Sequence, residues 1–358
     1  MPENAPSPEA VLERLIASVV PTDVAYEDAA WKRLDELTKP PRSLGRLEEI
    51  AARVARIQRT DHPSAEGKTV LLMAGDHGIV AEGVAPYPQE VTQQMVANFA
   101  AGGAAINQIA ASVGAEVVVY DVGVAGDVSL PGVEVRKVAR GTRNAATGPA
   151  MTREEAARAA LVGVDAVRVA VVRGARIIGT GEMGIGNSTA AAALAAAYTG
   201  ASPGAVVGPG TALDGAGVSH KAAVVARMLE VNRAGDLDAL GVLAAVGGLE
   251  IAALAGVVIG AAAEGVCVIA DGYISGAAAL AAVRLCPAAG DYVLPSHLSR
   301  EPGHRLLLDA LGMEPLLSLE MRLGEGTGAA LAMGIVDAAC RMLSGMSTFA
   351  EAGVSTAE

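Results

Sequence analysis

The sequence predicts an α/β chain: a mainly parallel sheet with helices on both faces, plus a small helical domain built from both termini. Three observations predict it. Short β-branched apolar runs recur between about residue 68 and residue 294, each closing on a cluster of Gly, Asp or Ser. Ala-rich stretches of helical composition separate these runs, which is the pattern of a parallel sheet buried on both faces. On either side of that region the apolar residues return to helical spacing. A chain of 358 residues has room for two domains, or for one large domain with an appendage. The expected division puts residues 1–62 and 301–358 in the helical domain and residues 63–300 in the α/β domain.

The elements follow in order. Leu12, Leu15, Ile16 and Val19 fall on one helical face, and Leu47, Ile50, Val54 and Ile57 on another. Pro40-Pro41 and Gly45 make the segment between them, residues 37–45, a loop. Six strands are expected, over residues 69–73, 116–120, 176–178, 205–207, 266–269 and 292–294. Gly241 to Ala263 is apolar enough to draw attention as a membrane segment. Glu250 and five glycines within it point instead to one buried helix, closely packed through small residues. Helices resume after residue 300, and the tail from Ser347 is expected to fray.

Composition removes several functions. Hydrophobic residues make up 52% of the chain, so it is not disordered. Aromatics are only 3%, too few for the stacking platforms of a single-strand nucleic-acid binder. A net charge of −12 gives no field to hold DNA or anionic lipid, so neither nucleic acid nor membrane is an expected partner. Cys267, Cys286 and Cys340 form no CxxC and read as reduced thiols, and the acidic, proline-bearing start lacks the features of a secretory signal. A cytoplasmic location follows as an expectation. The five histidines show no paired short spacing, so no metal is expected.

In open parallel sheets ligands bind at the carboxyl ends of the strands. Six polar, Gly-rich loops stand there: Gly75-Asp-His-Gly78, Asp121-Val-Gly123, the segment 179–189, Gly208-Pro-Gly-Thr211, Asp271-Gly-Tyr273 and Pro295-Ser-His-Leu-Ser299. Together they suggest one assembled pocket. Gly179-x-Gly181-x-x-Gly184 has the form of a dinucleotide fingerprint. The acid that should follow about 20 residues later is missing, since no Asp or Glu stands between Gly184 and Asp214. An NAD-dependent dehydrogenase is therefore disfavoured. Gly184, Gly186, Asn187, Ser188 and Thr189 offer amides and hydroxyls to a single phosphate at a helix start, or serve as plain caps. Lys221 is either a cation for that phosphate or a solvated helix lysine. Glu182, in the same loop, would repel phosphate and must face something else. Glu325, in Gly324-Glu-Gly326 before a helix at residues 329–343, is either a partner of that helix start or a positioned base. Two carboxylates in Gly-framed loops exceed what a protein that merely sequesters a nucleotide needs.

The segments Pro40-Pro-Arg-Ser-Leu-Gly-Arg-Leu-Glu48, Ala74-Gly-Asp-His-Gly78, Glu82-Gly-Val84, the run 181–189, Asp271-Gly-Tyr273, Pro295-Ser-His297 and the run 321–333 resemble the nicotinate-nucleotide–dimethylbenzimidazole phosphoribosyltransferase family. The resemblance covers about residues 35–345. It implies a Rossmann-like α/β domain beside the helical domain, a homodimer, and no cofactor. The implied reaction moves the 5-phosphoribosyl group from nicotinate mononucleotide to a benzimidazole base. It yields α-ribazole 5′-phosphate and nicotinate, within cobalamin synthesis. The family's base falls on Glu325, its second functional carboxylate on Glu182 and its phosphate-side lysine on Lys221. Gly184, Gly186, Asn187 and Ser188 would hold the nucleotide phosphate, with Ser296 as a further candidate. Tyr87, Met95 and Met183 stand at base-pocket positions where relatives carry Ser, Gln and Leu, which opens the pocket to other lower-ligand bases.

Overall fold

The computed structural model describes residues 6–208 and 214–355. Three helices open the chain: α1 (Pro8–Ser18), α2 (Val24–Glu36) and α3 (Arg46–Gln58). The sheet region then runs β1 (Lys68–Gly75), α4 (Glu90–Ala100), α5 (Ala105–Ser112), β2 (Ala115–Gly123), β3 (Val133–Val135), α6 (Arg153–Val172), β4 (Ile177–Met183), α7 (Asn187–Thr199), α8 (Pro203–Val206) and α9 (Gly215–Val231). It continues through α10 (Ala239–Val246), α11 (Leu249–Glu264), β5 (Cys267–Ala270), α12 (Tyr273–Leu285) and β6 (Val293–Pro295). Helices α13 (Gly303–Leu311), α14 (Thr327–Gly345) and α15 (Phe349–Ala352) close the described chain.

All strand pairings in the six-stranded sheet are parallel, in the order β3-β2-β1-β4-β5-β6. Chain progress reverses between β1 and β4, the crevice where doubly wound sheets bind ligands. The strands are apolar because both faces are covered: α11 packs with α6 on one face, and α14 packs with α3 and α5 on the other. The α6–α11 approach is very close. A Cβ on Gly256 would lie 1.8 Å from the carbonyl oxygen of Ala160, so only glycine fits. Of the helices outside the sheet region, α1 lies against α6 and α11, α2 against α3, and α13 against α12 and α7.

Several expectations need correction. The apolar run at 205–207 is not a strand. Pro203 opens the short helix α8, and the run marks burial of Val206 and Val207, not sheet pairing. The sixth strand is instead β3, an edge strand too short to leave a periodic signal. The single helix expected over Gly241–Ala263 is two helices, broken at Gly247-Gly248, and Glu250 lies in the first turn of the second. Gly179 and Gly181 stand inside β4, so the dinucleotide-like spacing spans a strand and not a turn. The expected fray after Ser347 contains α15, held by a Thr348–Glu351 capping box, and Thr348 bridges to Leu37. Within Gly208-Pro-Gly-Thr211, residues 209–211 lie outside the described residues. Among the described residues α14 alone has the length and apolar composition to cross a membrane. Its contacts with β1, β4 and β5 make it a core helix.

Candidate active site

The strand ends at the β1/β4 crevice enclose a cleft of about 350 Å³. Its wall brings together Glu182, Glu325 and Lys221 with Gly184, Gly186, Asn187 and Ser188. Tyr87, Met95 and Met183 line the same cleft beside Val84, Pro86, Val91 and Ile185, and they make that end apolar. Ser296 is the exception among the expected residues. It is fully buried, donates its hydroxyl to the Asp271 carbonyl at 2.6 Å, and does not line the cleft. It props the loop that carries Asp271.

Glu182 is near the end of β4 with its side chain buried. The Asn187 side-chain amide donates to its carboxylate, and so does the Glu325 main-chain N–H. Burial first, then the charges of Asp271 and Glu250, push Glu182 up to about 8 against these two bonds. Glu325 itself has left-handed backbone, φ +64°, between Gly324 at +85° and Gly326 at +89°. This turn lies directly on β4. A Cβ on Gly181 would fall 2.7 Å from the Glu325 carbonyl oxygen. The Glu325 carboxylate accepts the Ile106 N–H at the start of α5, while its Oε2 has no hydrogen-bond partner among the described residues. Burial raises Glu325 above the usual carboxylate range, Ile106 opposes the shift, and the charge of Asp271 adds to it.

Asp271 holds the base of this turn. Its carboxylate accepts the N–H groups of Ala329 at 2.9 Å and Gly326 at 3.3 Å, an anion at the start of α14. Burial still pushes it up to about 7. Sequence reasoning noted the Asp271 loop but missed this fastening. It also missed Glu301, Arg322, Leu323 and Ile274 in the wall. Arg322 stands three residues before Glu325 and was within reach of a reading of that motif. Glu301 gives no signal in the sequence and is delivered by the fold.

At the other end Gly186, φ +95°, turns the chain into α7. Lys221, 1% exposed, donates to the Ser188 hydroxyl at 2.8 Å. Burial pushes Lys221 down to about 8, partly offset by the charge of Glu301. A helix start, a hydroxyl and a buried ammonium make a phosphate cradle. Lys221→Ala is therefore expected to raise KM for a phosphate-bearing substrate more than it lowers kcat, because that contact serves ground and transition states alike. Steady-state kinetics check this; a collapse of kcat at unchanged KM would remove Lys221 from the cradle. Among the described residues no group of three or more His, Cys, Asp or Glu side chains is arranged to hold a metal ion.

The chain is similar to known proteins over nearly its whole length. A family model described as "Phosphoribosyltransferase" matches residues 19–354. The nicotinate-nucleotide–dimethylbenzimidazole phosphoribosyltransferase of Desulforamulus reducens is 50% identical over 347 residues, 96% of this chain and 99% of its own length. The protein of the same name from Chloroflexus aggregans is 50% identical over 346 residues, 96% of this chain and 98% of its own. The crystal structure of CobT from Thermus thermophilus superposes with a TM-score of 0.90 at 50% identity, covering 93% of this chain and all of that one.

Proposed function

The chain belongs to the nicotinate-nucleotide–dimethylbenzimidazole phosphoribosyltransferase family, and from that premise we propose that its cleft carries out phosphoribosyl transfer through Glu325, Glu182 and Lys221. The substrates in this reading are nicotinate mononucleotide and 5,6-dimethylbenzimidazole or a related base, and the setting is cobalamin synthesis in the cytoplasm. The observation that carries it is one cleft with an apolar wall, two buried carboxylates joined through the Glu325 N–H, and a buried lysine at a helix start. The protein acts as a homodimer. The helical unit of residues 1–62 and 301–358 supplies Glu325, and the α/β unit of residues 63–300 supplies Glu182 and Lys221.

The nucleotide's phosphate sits on the amides of Gly184, Gly186 and Asn187 with Ser188 and Lys221. Its nicotinate ring is a pyridinium and leaves as neutral pyridine nitrogen when the C1′–N bond breaks. The benzimidazole nitrogen forms the new C1′–N bond from the opposite face, which turns a β-nucleotide into an α-product. Charge builds on the ribosyl carbon during the exchange, and ionised Glu182 stabilises it. The attacking ring becomes cationic, and its other N–H gives its proton to Glu325. Tyr87, Met95 and Met183 offer a flat, apolar slot, which favours planar bases with few polar groups. Incubation with both substrates and identification of α-ribazole 5′-phosphate and nicotinate tests the reading. A folded enzyme that forms neither product overturns it.

A pH profile follows from the two opposed shifts. Glu182 must be ionised, so activity falls as pH drops below about 8. Lys221 must be charged, so activity also falls as pH rises above about 8. The expected kcat/KM profile is a narrow bell centred near pH 8. A plateau from pH 6 to 9 would show that neither group changes its ionisation in that range.

A further inference from the structure

Below the Glu182 turn is an ion pair that the mechanism has not used. His77 Nε2 and Glu250 Oε1 are 2.7 Å apart, and both side chains are buried to 1% exposure or less. The pair is walled by main chain brought in from three elements. A Cβ on Gly248 would lie 2.3 Å from His77 Cε1 and 2.8 Å from Glu250 Oε2. On Gly75 a Cβ would lie 3.0 Å from Glu250 Oε2, and on Gly184 3.4 Å from Glu250 Oε1. The turn at the end of β4 therefore passes close to the Glu250 carboxylate. Gly184 itself packs on β1, with its would-be Cβ 2.2 Å from the Gly75 carbonyl oxygen. This explains why an acid interrupts the most apolar stretch of the chain, and why Asp76-His77 follow directly on β1.

Resting on the function just assigned, we propose that His77 and Glu250 are positioning residues for transfer. Glu250 sets its carboxylate beneath the turn that follows Glu182, and His77 acts only through its 2.7 Å contact with that carboxylate. The charges around each group agree. Glu182 faces Asp271 and Glu250, the Asn187 amide and the Glu325 N–H. Glu250 faces His77 and Asp76, and Asp76 is held by the Ala125 N–H at 2.8 Å. Burial alone would drive His77 towards its neutral form, but Glu250, with a smaller push from Asp76, raises it above its ordinary value. Removing one partner of a buried pair leaves the other without its counter-charge, which is strongly destabilising.

Glu250→Gln separates charge from shape, because the amide still fills the site and still bonds His77. The expected result is an acid limb of kcat/KM displaced downwards by about one pH unit, because Glu182 loses a like charge. The double variant H77Q/E250Q is expected to keep the limb of E250Q, since His77 has no charge left to serve. H77Q alone leaves Glu250 buried without its counter-charge and is expected to melt lower. E250Q carries the test even where H77Q does not fold. Calorimetry of nicotinate mononucleotide binding across the same pH range reads the Glu182 ionisation without turnover. A wild type that binds but does not transfer would then sink the assigned reaction and leave this inference decided. A folded E250Q whose limb and binding profile match the wild type overturns the inference, as does a further displacement in the double variant.

Discussion

Glu325→Gln is expected to slow transfer by about 10²–10⁴-fold, the usual cost of losing a general base. That range corresponds to about 3–5 kcal/mol of transition-state stabilisation. Gln keeps the left-handed turn no worse than Glu, leaves the main-chain N–H that Glu182 accepts, and can still take the Ile106 N–H. What it cannot do is receive a proton. The penalty depends on the acceptor: a base whose cationic form releases its proton readily to water needs Glu325 least. Removing a buried carboxylate from beside Asp271 also relieves repulsion, which limits any fall in melting temperature. Single-turnover rates in a folded variant that binds both substrates are the measurement. A rate close to wild type with dimethylbenzimidazole would return Glu325 to the alternative role of partner to a helix start.

Gly181→Ala is expected to cost roughly 10²-fold in kcat/KM, the effect of shifting a reacting group by about 1 Å. The new methyl would lie 2.7 Å from the Glu325 carbonyl oxygen, which is main chain and cannot rotate away. The turn must lift off β4, carrying the base and the N–H that steadies Glu182. The overpacking should also cost about 1–3 kcal/mol of stability. Gly179→Ala is the internal comparison on the same strand. Its methyl would meet Met333 Cε at 2.8 Å, the far end of a flexible side chain that can move. It should therefore be much milder in both respects. Melting curves and kcat/KM for the two variants check the contrast, and equal losses would show that the turn is not held by this contact.

How far the sequence disclosed this molecule depended on the range of the determining force. The parallel sheet was legible because double burial writes apolar runs directly into the chain, as in β1 and β4. The same signal misled at 205–207, where burial without sheet pairing looks identical in composition. The break at Gly247-Gly248 was hidden because Gly248 packs against the ring of His77, a residue far away in sequence. In the site, Glu182, Glu325 and Lys221 stood out through their glycine settings and family motifs. Asp271 as the fastening of α14, Ser296 as its prop and Glu301 in the wall depend on contacts between elements far apart in sequence. No local pattern encodes those.

The sheet order has a consequence for how the enzyme is made. Strand β1 lies at the centre, flanked by β2 and by β4, and the turn bearing Glu325 settles on β4. During synthesis β1 must wait with one edge uncovered while β2, β3 and α6 emerge. At about 5–20 residues per second, that edge stays open for seconds. The cleft comes later still, because its base arrives with the segment before α14. A nascent chain can thus own a nearly complete sheet and no chemistry at all. Parallel pairings between distant segments also form slowly, so the emerging polypeptide carries an aggregation-prone edge until β4 pairs with β1. Catalytic competence then reports that the last long helix has docked, making turnover a reading of complete folding as much as of active-site chemistry.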